Sequence, residues 1–188
     1  MLELATERLK IIPLDIESYR LYIENSNKME EKLGLKITNK IWNEDIKGAF
    51  QYRFKKVVEN REQYLWETLW VVISTEENCE IASLMIKGYP NEKGEVIIGY
   101  GTDESYQNKG YMTESVEGLI KWIFTNPKAL SIIADTDKVN IASHRVLEKN
   151  GFIKYKESVK TSEGGEVEEL VWWRLDKEKF YGKLGKMK

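Results

Sequence analysis

Two spacings of apolar residues alternate along the chain, one near 2 and one near 3.6, and they divide it into strands and helices. Leu9-Lys10-Ile11-Ile12-Pro13-Leu14 reads as a short strand stopped by proline, which lacks the N–H a sheet ladder needs. Between Asp15 and Asn25, Ile16, Tyr19, Tyr22 and Ile23 fall on one helical stripe. From Asn43 to Asn60 a second stripe runs through Ile46, Phe50, Phe54, Val57 and Val58. Leu69-Trp70-Val71-Val72-Ile73 is β-branched and aromatic, a strand composition. Thr75 to Cys79 is polar and turn-like, and Ile81 to Lys87 is the next strand. Pro90-Asn91-Glu92-Lys93-Gly94 supplies the turn into a third strand, Glu95 to Thr102.

Beyond that meander the period changes. Gly110 to Phe124 puts Met112, Val116, Leu119, Ile120 and Ile123 on one helix face. Leu130 to Ala134 reads as a buried strand. Asn140 to Asn150 reads as a helix with Asn140 as its N-cap and Gly151 where a left-handed C-terminal residue belongs. Phe152 to Val159 and Val167 to Leu175 are two final strands joined by a turn at Ser162-Glu163-Gly164-Gly165. The order β-α-α-β-β-β-α-β-α-β-β predicts an α/β fold with a mixed sheet and a strand–helix–strand crossover at its centre.

Composition narrows the function. The 188 residues match one domain, expected to span residues 1–188, at roughly 150 residues per domain. Lys and Arg number 29 and Asp and Glu 31, a net charge of −2, which argues against a dedicated nucleic-acid binder. One cysteine, Cys79, and one histidine, His144, are too few N/S ligands for a structural zinc site, and no metal is expected. No apolar run approaches a membrane span, Met1 to Pro13 carries no secretory pattern, and Lys183 to Lys188 reads as a basic tail. A cytoplasmic location is the expectation.

Chemistry concentrates between Glu95 and Met112. Gly99 and Gly101 interrupt a good strand, a sign of a bulge or of another backbone passing closely. The strand leads into Gln107-Asn108-Lys109-Gly110-Tyr111-Met112, a glycine-bearing turn at a helix start, where backbone N–H groups and the helix dipole favour an anion. The P-loop pattern is absent. The dinucleotide fingerprint fails because Gly99-x-Gly101-x-x is followed by Glu104.

Gln107 and Gly110, with Met112 where Gly or Ala is usual, follow a [Q/R]-x-x-G-x-[G/A] pattern that resembles the pyrophosphate loop of the Gcn5-related N-acetyltransferases (GNAT). Asn140-Ile-Ala-Ser143-His-Arg-Val-Leu147-Glu-Lys-Asn-Gly151-Phe152 resembles the N-x-x-S-x-x-x-x-x-K-x-G-F segment of that family. Thr6-Glu7-Arg8-Leu9-Lys10-Ile11-Ile12-Pro13-Leu14 is similar to the T-E-R-L-x-L-R-P-L opening of its ribosomal-protein acetyltransferase (RimJ/RimL-type) branch, and Tyr106 to Ser115 to that branch's Y-x-G-K-G-Y-A-T-E-A. The resemblance covers residues 5–176. It implies a mostly antiparallel sheet of about seven strands, splayed in the middle and flanked by about four helices. It also implies acetyl-CoA as co-substrate and a primary amine as acceptor, either a protein N-terminus or a small molecule. Analogy suggests a homodimer.

The same resemblance assigns residues. The loop Gln107, Asn108, Lys109, Gly110, Tyr111, Met112 and Thr113 would hold the diphosphate. Ile98, Gly99 and Tyr100 would pair with the pantetheine arm as with an added strand, and Asn140 and Ser143 would contact it. Backbone N–H groups around Tyr100 would stabilise the oxyanion, and Ser143 would protonate the leaving thiolate. The family's usual tyrosine acid is replaced by Leu147, and a Glu common in the branch by Ile97. Glu95, two residues earlier on the same strand face, is the candidate base, with Asp135 as a further one. Met112 reads as a core residue, His144 as a solvent-facing or cap-supporting histidine, Cys79 as an incidental thiol, and Trp42, Trp66 and Trp70 as core packing or an aromatic acceptor pocket. Glu30-Glu31 and Glu44-Asp45 are acids that could attract a cationic amine. The missing Tyr and Glu leave a catalytically silent acyl-CoA-binding module as the alternative.

Overall fold

Leu9 to Pro13 alternates buried and exposed residues, which seats this strand, β2, at the side of a sheet with helices on both faces. The computed structural model describes residues 2–161 and 167–184. Its sheet has eight strands in the order β1-β2-β3-β4-β5-β6-β8-β7. They are β1 (Leu4–Ala5), β2 (Leu9–Pro13), β3 (Leu69–Ser74), β4 (Cys79–Ile86), β5 (Glu95–Thr102), β6 (Ser131–Asp137), β7 (Ile153–Thr161) and β8 (Val167–Asp176). The helices are α1 (Ile16–Glu24), α2 (Ser26–Lys32), α3 (Glu44–Glu59), α4 (Tyr111–Ile123), α5 (Ile141–Lys149) and α6 (Lys177–Leu184), with 3₁₀ turns at Arg61–Trp66 and Glu104–Tyr106. No helix among the described residues is long and apolar enough to cross a membrane.

All of β3 is buried because it feeds two cores. On one face Trp70 and Val72 join Leu84, Ile98, Val116, Leu119 and Leu147 beneath α4 and α5. On the other, Val71 and Ile73 join Tyr19, Tyr22, Met29, Phe50 and Val57 beneath α1, α2 and α3. Asp15, Asn43 and Asn140 each cap their helix, accepting from the N–H groups of Ser18, Ile46 and Ser143 at 2.7, 2.8 and 3.0 Å. Gly151 takes the left-handed conformation, with φ of 84°.

The mixed α/β architecture and the central crossover match the sequence expectation. The two-residue β1 makes eight strands where about seven were expected. Helices α2 and α6 were not expected; both are short, and α2 buries only Ser26, Met29 and Glu30, too few apolar positions to show a period. Leu130 is 55% exposed and precedes β6, which begins at Ser131. Cys79 is not in a polar turn but begins β4, 2% exposed. The turn expected at Ser162–Gly165 and the end of the basic tail, residues 185–188, lie outside the described residues.

Among the described residues only β5 and β6 run parallel, and their pairing is short. The register is Glu95 with Ser131, Val96 with Ile132, Ile97 with Ile133 and Ile98 with Ala134. Past Ile98, β5 continues to Thr102 paired only with β4, and past Ala134, β6 continues to Asp137 paired only with β8. The sheet therefore opens into a wedge whose apex lies at Gly99 and Asp135.

Candidate functional site

One wall of the wedge is β5 beyond Ile98. Strand alternation sends Tyr100 to the face that carries α5, while Gly99 and Gly101 present no side chain to the opposite face. A methyl group built on Gly101 would touch nothing within 4 Å. The strand runs directly into the glycine-bearing turn. There Gly110 has φ of 82° and Asn108 φ of 61°, left-handed conformations that aim successive amides the same way. The backbone N–H groups of Asn108 to Thr113 find no acceptor among the described residues. They stand at the N-terminus of α4, an arrangement suited to a diphosphate. The side chain of Gln107 turns back and donates to the Thr102 carbonyl at 3.2 Å, tying the turn to the strand end. Met112 is 7% exposed and belongs to the core, as its apolar character suggested.

A single arginine braces this turn. Arg8 NH1 donates to the Lys109 carbonyl at 3.1 Å, and the guanidinium lies 4.5 Å over the Tyr111 ring. Its Nε bonds Glu114 at 2.8 Å. Burial alone would raise the Glu114 carboxyl, but bonds from Thr6 and Arg8 outweigh it and hold the group below its usual range.

The second wall is β6 and the start of α5. Ser143 Oγ donates to the Tyr100 hydroxyl at 2.9 Å, and that hydroxyl donates to the Ser143 carbonyl at 3.3 Å. The two residues named for catalysis on α5 and β5 thus meet, closing the α5 face of the wedge. Burial pushes the Tyr100 phenol up to about 12, so it is a neutral hydroxyl at physiological pH. Asn140, adjacent, spends its side-chain oxygen on the α5 cap. Leu147, at the position of the family's usual tyrosine, is wholly buried in the core.

Glu95 is not brought to this group. It pairs with Ser131 at the closed end of β5 and β6, four residues before Gly99. Its carboxylate accepts from Arg174 at 2.9 Å and from Asn91 at 3.2 Å. Asp135 does reach the apex, and it meets a residue that no sequence motif singles out, Lys87, at 3.4 Å. The one available sequence signal is a charged residue ending an apolar strand opposite Ile97, whose carbonyl accepts the Lys87 N–H at 2.8 Å.

The tryptophans divide. Trp66 and Trp70 pack on Trp122, with ring centroids 4.8 and 4.7 Å away, inside the α4-side core. Trp42 packs on Tyr22 and Phe50 and lines a cavity of about 350 Å³ together with Ile23, Lys40 and Lys47. A neighbouring cavity of about 290 Å³ lies between Lys40, Glu80, Asp103 and Tyr106. Neither cavity reaches Gly99 or Asp135. Glu30 is not a surface acid: it is fully buried, and its carboxylate accepts from the Thr38 N–H at 2.9 Å and from the Thr38 hydroxyl. Glu44 and Asp45 occupy the first turn of α3, where they complement its dipole. His144 packs on Trp173 at 5.2 Å, its Nε2 3.1 Å from the Asp137 carbonyl oxygen.

Known proteins share this fold. Residues 8–153 match the family described as acetyltransferase (GNAT) domain. YjdG of Bacillus subtilis (strain 168), an uncharacterized N-acetyltransferase, is 29% identical over 154 residues, 81% of this chain and 90% of its own. The ribosomal-protein-S5-alanine acetyltransferase from Vibrio fischeri superposes with a TM-score of 0.71 at 19% identity, covering 96% of this chain and 99% of the other. The RimL ribosomal-protein acetyltransferase in complex with coenzyme A superposes with a TM-score of 0.68 at 13% identity, covering 93% and 98%.

Proposed function

The chain belongs to the GNAT acetyltransferase family, and from that premise we propose that it transfers an acetyl group from acetyl-CoA to a primary amine by direct attack. One observation carries this reading: the wedge between β5 and β6 opens next to a turn whose amides, Asn108 to Thr113, are unspent. The diphosphate of acetyl-CoA suits that turn, and its pantetheine arm suits the edge left unpaired past Ile98, at Gly99 and Tyr100, as an added strand would. A relative of the same fold is known in complex with coenzyme A, which favours the same co-substrate here.

The two faces of the apex then divide the chemistry. The amine approaches over Gly99, on the face opposite α5, where Asp135 rather than Glu95 stands ready to take its proton. The amine nitrogen bonds to the thioester carbon, giving a tetrahedral oxyanion for the backbone N–H groups around Tyr100, and the nitrogen releases its second proton to solvent as the amide forms. The C–S bond then breaks toward the α5 face. Ser143 turns its hydroxyl from Tyr100 to the departing sulfur and gives it the proton, and the Tyr100 hydroxyl, turning from the Ser143 carbonyl, passes its own proton to Ser143 Oγ. Solvent restores Tyr100. The balance is one ammonium and one thioester in, one amide, one thiol and one proton out. Most of the acceleration comes from holding both reactants in one complex.

The test has two stages. Thermal melts with acetyl-CoA or with ATP are expected to show stabilisation by acetyl-CoA alone. Thiol release with a panel of amines and peptides is expected to exceed acetyl-CoA hydrolysis. No stabilisation by acetyl-CoA would overturn the loop assignment. Tight binding with no turnover on any acceptor would mark a silent acyl-CoA-binding module instead.

A further inference from the structure

The apex of the wedge also bears on which amine is acetylated, an inference that rests on the acetyl-transfer reading above. On the Gly99 face of the apex, Lys87 Nζ stands 3.4 Å from Asp135 Oδ1. A methyl group built on Gly99 would lie 3.4 Å from Lys87 Cε and 3.9 Å from its Nζ. The lysine ammonium therefore hangs over the glycine that marks the apex, in the path of anything approaching a thioester held there.

This pair differs from its neighbours in being exchangeable. Arg53 is fixed by Glu67 at 2.6 Å and by the Ile86 carbonyl at 3.0 Å. Arg174 is fixed by Glu95 at 2.9 Å and by Asp176 at 2.7 Å. Lys87 and Asp135 have only each other among the described residues, through one long contact, and their side chains are 38% and 28% exposed. A single long ion pair open to water contributes little, so a better-matched partner displaces it readily.

A primary amine reaches the site as a cation. Its counterpart at the apex is the Asp135 carboxylate, and taking that place removes the counterion of Lys87. An ammonium beside an incoming cation is repelled unless the newcomer also brings a negative charge. We propose that Lys87 and Asp135 select an acceptor that carries a carboxylate on the carbon bearing its amine, that is, a free α-amino acid. Such a molecule replaces the pair charge for charge, its ammonium on Asp135 and its carboxylate on Lys87. Proton loss to Asp135 leaves the amine free to attack while Lys87 keeps the carboxylate. A peptide N-terminus offers a neutral carbonyl where the carboxylate should be, and a polyamine offers a second cation against Lys87.

The experiment measures kcat/KM at saturating acetyl-CoA for a set of L-amino acids, their carboxamides, the matching decarboxylated amines and tripeptides. The free amino acid is expected to exceed its own carboxamide by roughly tenfold or more. In Lys87→Met that ratio should fall toward one, and in Lys87→Arg it should be kept. Melting curves and acetyl-CoA binding of each variant, matched to the parent protein, establish that the change lies in acceptor choice. Equal rates on amino acid and carboxamide would overturn the proposal, as would a ratio that survives Lys87→Met. Turnover of peptides or amines without amino acids would overturn it while leaving acetyl transfer standing. Failure of acetyl-CoA to bind at all would remove the premise, and the proposal with it.

Discussion

Arg8 and Glu114 lie 106 positions apart in sequence, yet the Arg8 guanidinium meets the Glu114 carboxylate at 2.8 Å. The other oxygen of Glu114 accepts from the Thr6 hydroxyl at 2.6 Å and from the Arg8 N–H at 2.8 Å. Two motifs read separately in the sequence, Thr6-Glu7-Arg8-Leu9 and Tyr111-Met112-Thr113-Glu114, are thus two halves of one brace. Its far end is the Lys109 carbonyl, so the brace ties the amide turn to the chain that enters β2. Arg8 is 44% exposed, so the ion pair adds on the order of 1 kcal/mol or less to stability. Its value lies in the shape of the turn. Glu114→Gln is expected to weaken acetyl-CoA binding roughly tenfold, about 1.4 kcal/mol, while moving the urea midpoint little. Isothermal titration beside a denaturation curve measures both, and unchanged affinity would refute the brace.

Gly110 makes a sharper demand on the same turn. Its φ of 82° costs a side-chain-bearing residue about 1 kcal/mol, and a methyl there would press within 3.4 Å of the Arg8 guanidinium. Gly110→Ala should lower stability by about 1–2 kcal/mol. Gly110→Asp should lower it comparably and in addition abolish acetyl-CoA binding, because a carboxylate placed against the Arg8 guanidinium would draw it off the Lys109 carbonyl and deform the turn. Gly101→Ala is the control for stability, since nothing lies within 4 Å of the added methyl and the backbone is ordinary strand. Its change should stay within about 0.5 kcal/mol. If Gly110→Asp binds acetyl-CoA like the parent, the turn does not hold the diphosphate.

Ser143 and Tyr100 share one proton path in the proposed reaction, which gives them a distinctive kinetic signature. Removing either hydroxyl breaks the same relay, so Ser143→Ala and Tyr100→Phe should each reduce kcat by roughly 10²-fold with KM for acetyl-CoA nearly unchanged. The double variant should be little worse than either single one, since there is only one relay to lose. Additive losses in the cycle would mean two independent roles and would exclude the relay. Retained turnover in Ser143→Ala would exclude this serine as the acid.

How far these features were legible depends on the range of the interactions that make them. The amide turn, the Asn140 cap and the Gly151 stop are local, set by residues within a few positions, and sequence spacing placed each of them. The wedge is not local: it exists because β5 outruns its four-pair register with β6, and Gly99 and Gly101 signalled an irregularity there without saying which neighbouring strand departs. Glu95 illustrates the consequence. Strand alternation put it on the correct face, but a face has two ends, and Glu95 sits at the closed one. Lys87 and Asp135 are 48 positions apart, and Arg8 and Glu114 106, so neither contact leaves a trace in either segment. Burial of a charge is equally silent. Glu30 and Glu80 read as ordinary acids until the loop after α2 folds over them.

Glu80 makes that last point measurable. It is 1% exposed on β4, and burial drives its carboxyl from the usual 4.5 up to about 7. Lys40 at 3.1 Å and the Tyr22 hydroxyl at 2.8 Å oppose that shift without cancelling it. The folded protein therefore binds this proton more tightly than the unfolded chain does. Between about pH 4.5 and pH 7 the folded state holds more protons, so stability falls as pH rises across that window. The loss should be on the order of 3 kcal/mol between pH 5 and pH 8. Asp15 and Glu114 act in the opposite sense, since both carboxyls are held below their usual range. Their contribution disappears only on acidification below that range, outside this window. Glu80→Gln replaces the titrating acid with a neutral amide that still accepts from Tyr22, and its stability should be nearly flat from pH 5 to pH 8. Urea denaturation of both proteins at several pH values measures the difference. Parallel curves would show that Glu80 ionises in the folded state as readily as in water, and that the ammonium of Lys40, also 2.8 Å from Asp103, fully compensates its burial.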